Sequence, residues 1–193
     1  MSFLRGLRGI VSLIGRAPLD DFEHYFGPPK AAFQSSLAAI GGSIYLIILA
    51  AQNVMTLQRR DIIADEIHSS NSAMHIGLTA FFYLLAFTGL AFLLSLILSH
   101  RQAFYRWASV RHWAVFYALI PTTLALVLAG AGLFPAVMAN AILFIAFIGW
   151  LFADIRLAQK LGEMGLMSAI FTGCIVHAMG LLILLTSIVR VIE

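Results

Sequence analysis

Long apolar runs alternate with short polar segments along the chain, and each run is long enough for a helix that crosses a bilayer. The runs are Phe33 to Met55, Ala73 to Ser99, Trp113 to Leu133, Ala136 to Ala158 and Leu166 to Val191. Roughly 20 apolar residues suffice for a helix to cross the hydrocarbon core, so the pattern predicts a five-transmembrane-helix bundle. In the first run Ser35, Ala39 and Ser43, with Ala38 and Gly42, recur four apart, which lets a neighbouring backbone come close. The second run is long enough to cross at a tilt or to protrude. The third carries Pro121 in mid-helix, where a kink is expected. Gly132-Leu-Phe-Pro135 is a minimal turn, so the third and fourth spans form an antiparallel hairpin. Gly162-Glu-Met-Gly165 leads into the fifth.

Before the first span the pattern changes. Phe3, Leu4, Leu7, Ile10, Val11 and Ile14 share one helical face, and Arg5, Arg8, Ser12 and Arg16 share the other. This predicts an amphipathic helix in the interface plane with arginines toward anionic lipid. Gly6, Gly9 and Gly15 weaken it, so it is expected to form only on the membrane. A signal peptide is not expected, because no uninterrupted apolar core precedes a small-residue cleavage site. A mitochondrial presequence is the competing reading. Pro18 opens a short turn or helix with Asp20, Asp21 and Glu23 near its start, and Gly27-Pro28-Pro29 ends it, with Pro29 suited to a first helical position. The chain thus divides into a membrane-surface segment, 1–27, and a five-helix transmembrane domain, 28–193.

Composition agrees with the pattern. The 193 residues are 61% hydrophobic and 11% charged, with a mean hydropathy of +0.95, against about a quarter charged in soluble domains. The expected fold class is an all-α membrane protein. A single cysteine, Cys174, excludes an intrachain disulfide and a cysteine metal cluster. The formal charge of +3 comes from arginines flanking the spans, which makes nucleic acid an unsuitable partner. His100 to Trp113 holds three arginines, two histidines, four aromatics and no acid, and reads as a cytoplasmic loop. With the N-terminus and the second and fourth connections on that side, nine basic residues oppose Arg59, Arg60 and Arg190. The N-terminus is therefore expected in the cytoplasm and the C-terminus outside. Arg5, Arg8, Arg16, Arg101, Arg106 and Arg111 are the expected contacts to lipid headgroups.

Polar residues inside the spans are the candidates for chemistry. His177 lies mid-span on a stripe with Ala169, Gly173 and Gly180. It is expected either to hydrogen-bond a hydroxyl such as Tyr83 or Thr88, or to relay protons or bind a ligand. Asp154 is expected to pair with Arg106 or Arg111, and Asn140 to hydrogen-bond between helices. His75, His100 and His112 do not match the depth of His177, so no haem is expected. Met74, Met138, Met164, Met167 and Met179 are scattered and read as packing. No nucleophile triad, phosphate loop, zinc-ligand spacing or intramembrane carboxylate pair is present, so neither cofactor nor catalysis is expected.

The basic-aromatic stretch, Ala118-Leu-Ile-Pro121, Ile148-Gly-Trp150 and the passage Ile155-Arg-Leu-Ala-Gln-Lys-Leu-Gly-Glu-Met-Gly-Leu-Met-Ser-Ala169 together resemble the YIP-domain family of five-span proteins, the Ypt/Rab-interacting protein relatives. The resemblance covers about half the chain and rests on hydropathy and spacing. It implies a non-catalytic role in organising membrane or protein assembly. The short N-terminal region points away from Rab binding and toward a bacterial inner-membrane version. Two other readings stand beside it. One is an accessory subunit of a larger respiratory, photosynthetic or transport complex; the other is a small transporter or channel, with Pro121, Thr122, Thr123 and His177 lining a path. Expected partners are a bilayer with anionic lipids and a membrane protein or second copy of the chain.

Overall fold

The computed structural model describes residues 3–15, 22–61, 101–161 and 165–192, with scattered residues between 77 and 96; for parts of these helices only the backbone is described. Every element among the described residues is a helix. They are α1 (Phe3–Ile14), α2 (Phe22–Phe26), α3 (Pro29–Asp61), α4 (Arg101–Gly130), α5 (Ala136–Leu161) and α6 (Leu166–Ile192). The described residues between 77 and 96 are helical as well. Two stretches, Pro29–Asn53 and Phe104–Gly130, are long and apolar enough to cross a membrane.

The turns follow the expected punctuation. Gly27 takes φ 80° directly after α2, and Pro29 opens α3, where its missing N–H costs nothing. Gly132 takes φ 76° after α4. Its N–H bonds the Ala129 carbonyl at 2.9 Å, and the Leu133 N–H reaches back to Leu128 at 2.9 Å. This paired closure satisfies two orphan carbonyls at the helix end, and α5 begins at once, as a minimal hairpin requires.

The stretch read as a loop is not one. Residues 101–113 are the first turns of α4, which continues through Pro121 to Gly130. Between Arg101 and Ile120 there is no glycine or proline to stop a helix. Trp107, Val110, Ala114 and Tyr117 recur at three and four and are all buried. Polarity suggested a loop, but the helical period governs.

Small residues set the closest contacts. Ala32, Ser36, Ala39 and Ser43 form the buried stripe of α3, while Ser35 is half-buried and Ala38 exposed. The expected stripe is therefore rotated by part of a turn. A Cβ on Gly42 would lie 2.5 Å from the Phe116 ring of α4. On the other side of the bundle, a Cβ on Gly173 in α6 would lie 2.8 Å from the backbone of Ile155 in α5. The segment α1–α2 closes one end, with Ile10, Leu13, Phe22 and Phe26 buried in the same core as Trp107 and Leu157.

Gly42 and Gly41 provide a paired test. Gly42→Ala should lower thermal stability in detergent by about 1–3 kcal/mol, the usual cost of overpacking. Gly41→Ala, where nothing lies within 4 Å, should be neutral or stabilising by up to about 1 kcal/mol. Equal effects in thermal unfolding would contradict the α3–α4 contact.

Candidate functional site

Three helices bring charge together inside the bundle. Arg111, ten residues into α4, turns its guanidinium toward α5, where its Nη1 lies 2.9 Å from Oδ2 of Asp154. The two side chains are 3% and 0% exposed. Arg111 Nη1 also donates to the Trp150 carbonyl at 3.3 Å, and the guanidinium carbon lies 5.8 Å from the centre of the Trp150 ring. Burial of one such charge alone would be prohibitive; the opposite charge at contact distance makes it tolerable. The planar guanidinium, able to donate and to stack at once, suits this place better than lysine would.

His177 of α6 completes the group. Its Nδ1 lies 3.6 Å from the same Asp154 oxygen, and its side chain is 8% exposed. The Phe147 ring meets the imidazole edge-on at 4.4 Å between centroids. Among the described residues, neither ring nitrogen of His177 has a hydrogen-bond partner, and neither oxygen of Asp154 has one, so Arg111 meets Oδ2 as an ion pair. The close approach of Gly173 to Ile155 sits one turn from His177 and beside Asp154, so the glycine sets the spacing at which the two face each other.

A second buried histidine is fully engaged. His112 Nδ1 is 2.9 Å from Ser36 Oγ of α3, and its Nε2 is 3.0 Å from Thr88 Oγ1. Each hydroxyl also lies 2.8 Å from a carbonyl of its own helix, Phe33 for Ser36 and Leu84 for Thr88. With a neutral ring, one hydroxyl donates its single hydrogen to the imidazole, and the other accepts from the ring while donating to its carbonyl. The imidazole therefore bridges two helices to α4.

The sequence-predicted residues divide accordingly. Asp154 does pair with Arg111. The assignment of Arg111 to lipid headgroups is corrected: it is buried, because a neighbouring helix offers the carboxylate that lipid would otherwise supply. Thr88 bonds His112 rather than His177, and Tyr83 lies outside the described residues. Arg106 lies 3.7 Å from Glu23 and 5.6 Å from the Phe22 ring centre, so it holds α2 as well as bordering the surface. Arg5 and Arg8 are exposed, and Arg5 donates to the His24 carbonyl. Arg16 lies outside the described residues, as do the side chains of Arg101 and Asn140. His112 was missed as a bundle contact because it was placed in a loop. The meeting of Asp154 and His177 was missed too, although they stand 11 and 12 residues either side of Gly165, which an antiparallel hairpin brings level.

At the bundle's end, Lys160 of α5 donates to the Leu13 carbonyl at 2.6 Å and the Gly15 carbonyl at 3.4 Å, capping α1. Partial burial, with Arg156 nearby, holds this ammonium below the usual lysine range. Gly6 and Gly9 are buried, and a Cβ on Gly9 would lie 2.7 Å from Tyr25. The glycines thus serve a docking face, while Leu4, Leu7 and Val11 remain exposed. No three of His, Cys, Asp and Glu converge as a metal site among the described residues. No family model, characterised protein or solved structure matches the chain.

Because Ser36 and Thr88 keep their backbone acceptors, His112→Leu should leave the fold intact. Its expected cost is about 1 kcal/mol, in the range of interhelical hydrogen bonds in membranes, read as a small fall in the midpoint of thermal unfolding in detergent. Loss of the folded protein would show that His112 has a larger role than bridging.

Proposed function

We propose that this chain is a five-span bundle of the bacterial inner membrane that organises membrane or protein assembly without catalysing a reaction, in the manner of the YIP-domain proteins it resembles. The observation that carries the membrane reading is an inverted distribution of polarity. Arg111, His112, Asp154, His177, Ser36, Ser43 and Thr123 are buried, while Phe144, Ile145, Phe152, Met167 and Phe171 are each exposed by 59% or more. In water such an outer surface invites association; against lipid it is the expected one, with ionisable groups turned inward. The spans would be α3, the second apolar run, Ala73 to Ser99, α4, α5 and α6.

The organising role rests on α1. It is held to the bundle through Ile10, Leu13 and Lys160, and it turns a ridge of Leu4, Leu7 and Val11, flanked by Arg5 and Arg8, outward. An apolar ridge beside arginines suits the boundary between headgroups and acyl chains. The basic residues of α1, of early α4 and of late α5 gather at one bundle end, which supports a cytoplasmic placement of that end. A transporter is the second reading, favoured by the buried Arg111, Asp154 and His177.

Two measurements bear on this. A nitroxide at Val11 (V11C, with Cys174→Ala) in anionic liposomes should be reached by oxygen from the lipid phase and shielded from a water-soluble relaxant; free access from water would sink the interfacial placement. Proteoliposomes loaded with a pH dye should show the same proton leak with and without the protein. A protein-dependent flux abolished by Asp154→Asn would replace the organising role with transport.

A further inference from the structure

The two buried histidines are treated differently by the fold, and the difference is informative. A neutral imidazole carries one donor and one acceptor. His112 has a hydroxyl at each. His177 has neither among the described residues, although it is buried. Leaving a buried polar group unsatisfied is costly, so a histidine serving only to pack would be expected to resemble His112. Instead, His177 Nδ1 points at a carboxylate 3.6 Å away, which is too long for a hydrogen bond and short enough for a strong interaction between charges.

We infer that His177 and Asp154 form a proton-binding site inside the bundle, in which a proton taken up at the imidazole is held against the carboxylate already paired with Arg111. The proton comes from water. It adds to Nδ1, no bond breaks in the protein, and the new N–H donates to Asp154. A charge-assisted hydrogen bond of this kind closes to about 2.7–2.9 Å, so uptake draws α6 toward α5 by less than about 1 Å. The oxygen that faces Nδ1 is the one Arg111 pairs with, and a carboxylate oxygen has two lone pairs, so Oδ2 can accept from His177 without giving up Arg111.

Among the described residues, the groups around the imidazole come from three helices. From α5, Asp154 faces the imidazole, together with the uncharged Phe147. From α4, Arg111 lies across the carboxylate, and Tyr117 belongs to the same core cluster as Val176. Arg156 pairs with Gln159 at the surface, and Lys160 reaches α1. Gly173 is a positioning residue. A side chain there would meet the Ile155 backbone and push His177 away from Asp154.

The test uses the full chain, labelled with 15N-histidine, in lipid nanodiscs. Imidazole nitrogen spectra are compared across about pH 5 to 8, where histidine changes charge, and the His177 signals are those lost in His177→Gln. In the wild type, they should pass from the neutral pattern at the upper end to the doubly protonated pattern at the lower end. In Asp154→Asn and in Gly173→Ala they should stay neutral throughout. The charge-balanced double variant Arg111→Gln/Asp154→Asn provides the same comparison if the single variant does not fold. A wild-type His177 that stays neutral across the range overturns the site, and so does unchanged protonation once Asp154 is replaced.

Discussion

A guanidinium in an apolar bundle has to meet an opposite charge, and the Arg111–Asp154 contact at 2.9 Å is where this fold meets that demand. Much of the local architecture follows from it. α4 must be helical from Arg101 onward for Arg111 to face α5 rather than hang in a loop. α5 must run antiparallel to α4, which the tight turn at Gly132 enforces. Trp150 then lies one turn from Asp154, its carbonyl accepting from the same Nη1 and its ring lying beside the guanidinium. The pair does not have to be strongly stabilising to matter. A buried ion pair is often no better than a well-packed apolar one, but either charge left alone is costly. What the pair supplies here is the register in which α4 and α5 meet.

The same register carries into α6. Gly173 allows its backbone to run close to Ile155, which brings His177 within 3.6 Å of the Asp154 oxygen that Arg111 pairs with. At the other side of α4, Ser36 and Thr88 grip His112, and Gly42 admits the Phe116 ring. Polar contacts and small residues thus alternate around α4. In the proposed lipid setting, apolar burial between helices gives little drive, and close backbone contact with hydrogen bonding takes its place.

The helices and the turns at Gly27 and Gly132 were legible in the sequence, because proline, glycine and long apolar runs act locally. The pairing of Asp154 with an arginine of the 100–113 stretch was legible as well, since a carboxylate in an apolar run needs a partner. Less legible was which arginine would be buried. Arg106 and Arg111 sit in the same basic stretch, and only the helical phase of α4 separates one that reaches Glu23 from one that reaches Asp154. The glycines of α1 misled for a related reason. Propensity alone marks Gly6 and Gly9 as weak points, yet a docked helix uses them as its contact face. The mid-span position of His177 is legible in the sequence, but its neighbour emerges only when both helices are measured outward from Gly165, 11 residues to Asp154 and 12 to His177.

The central claim is that Arg111 and Asp154 hold α4 and α5 together as a pair, and a double-mutant cycle addresses it most directly. Thermal unfolding in lipid nanodiscs would be compared for Arg111→Met, Asp154→Leu and the two combined. Each single variant should lose about 3–5 kcal/mol, the cost of stranding a buried charge. The double variant should recover most of that loss, because no charge remains to be stranded. Mild single effects that simply add in the double variant would contradict the account.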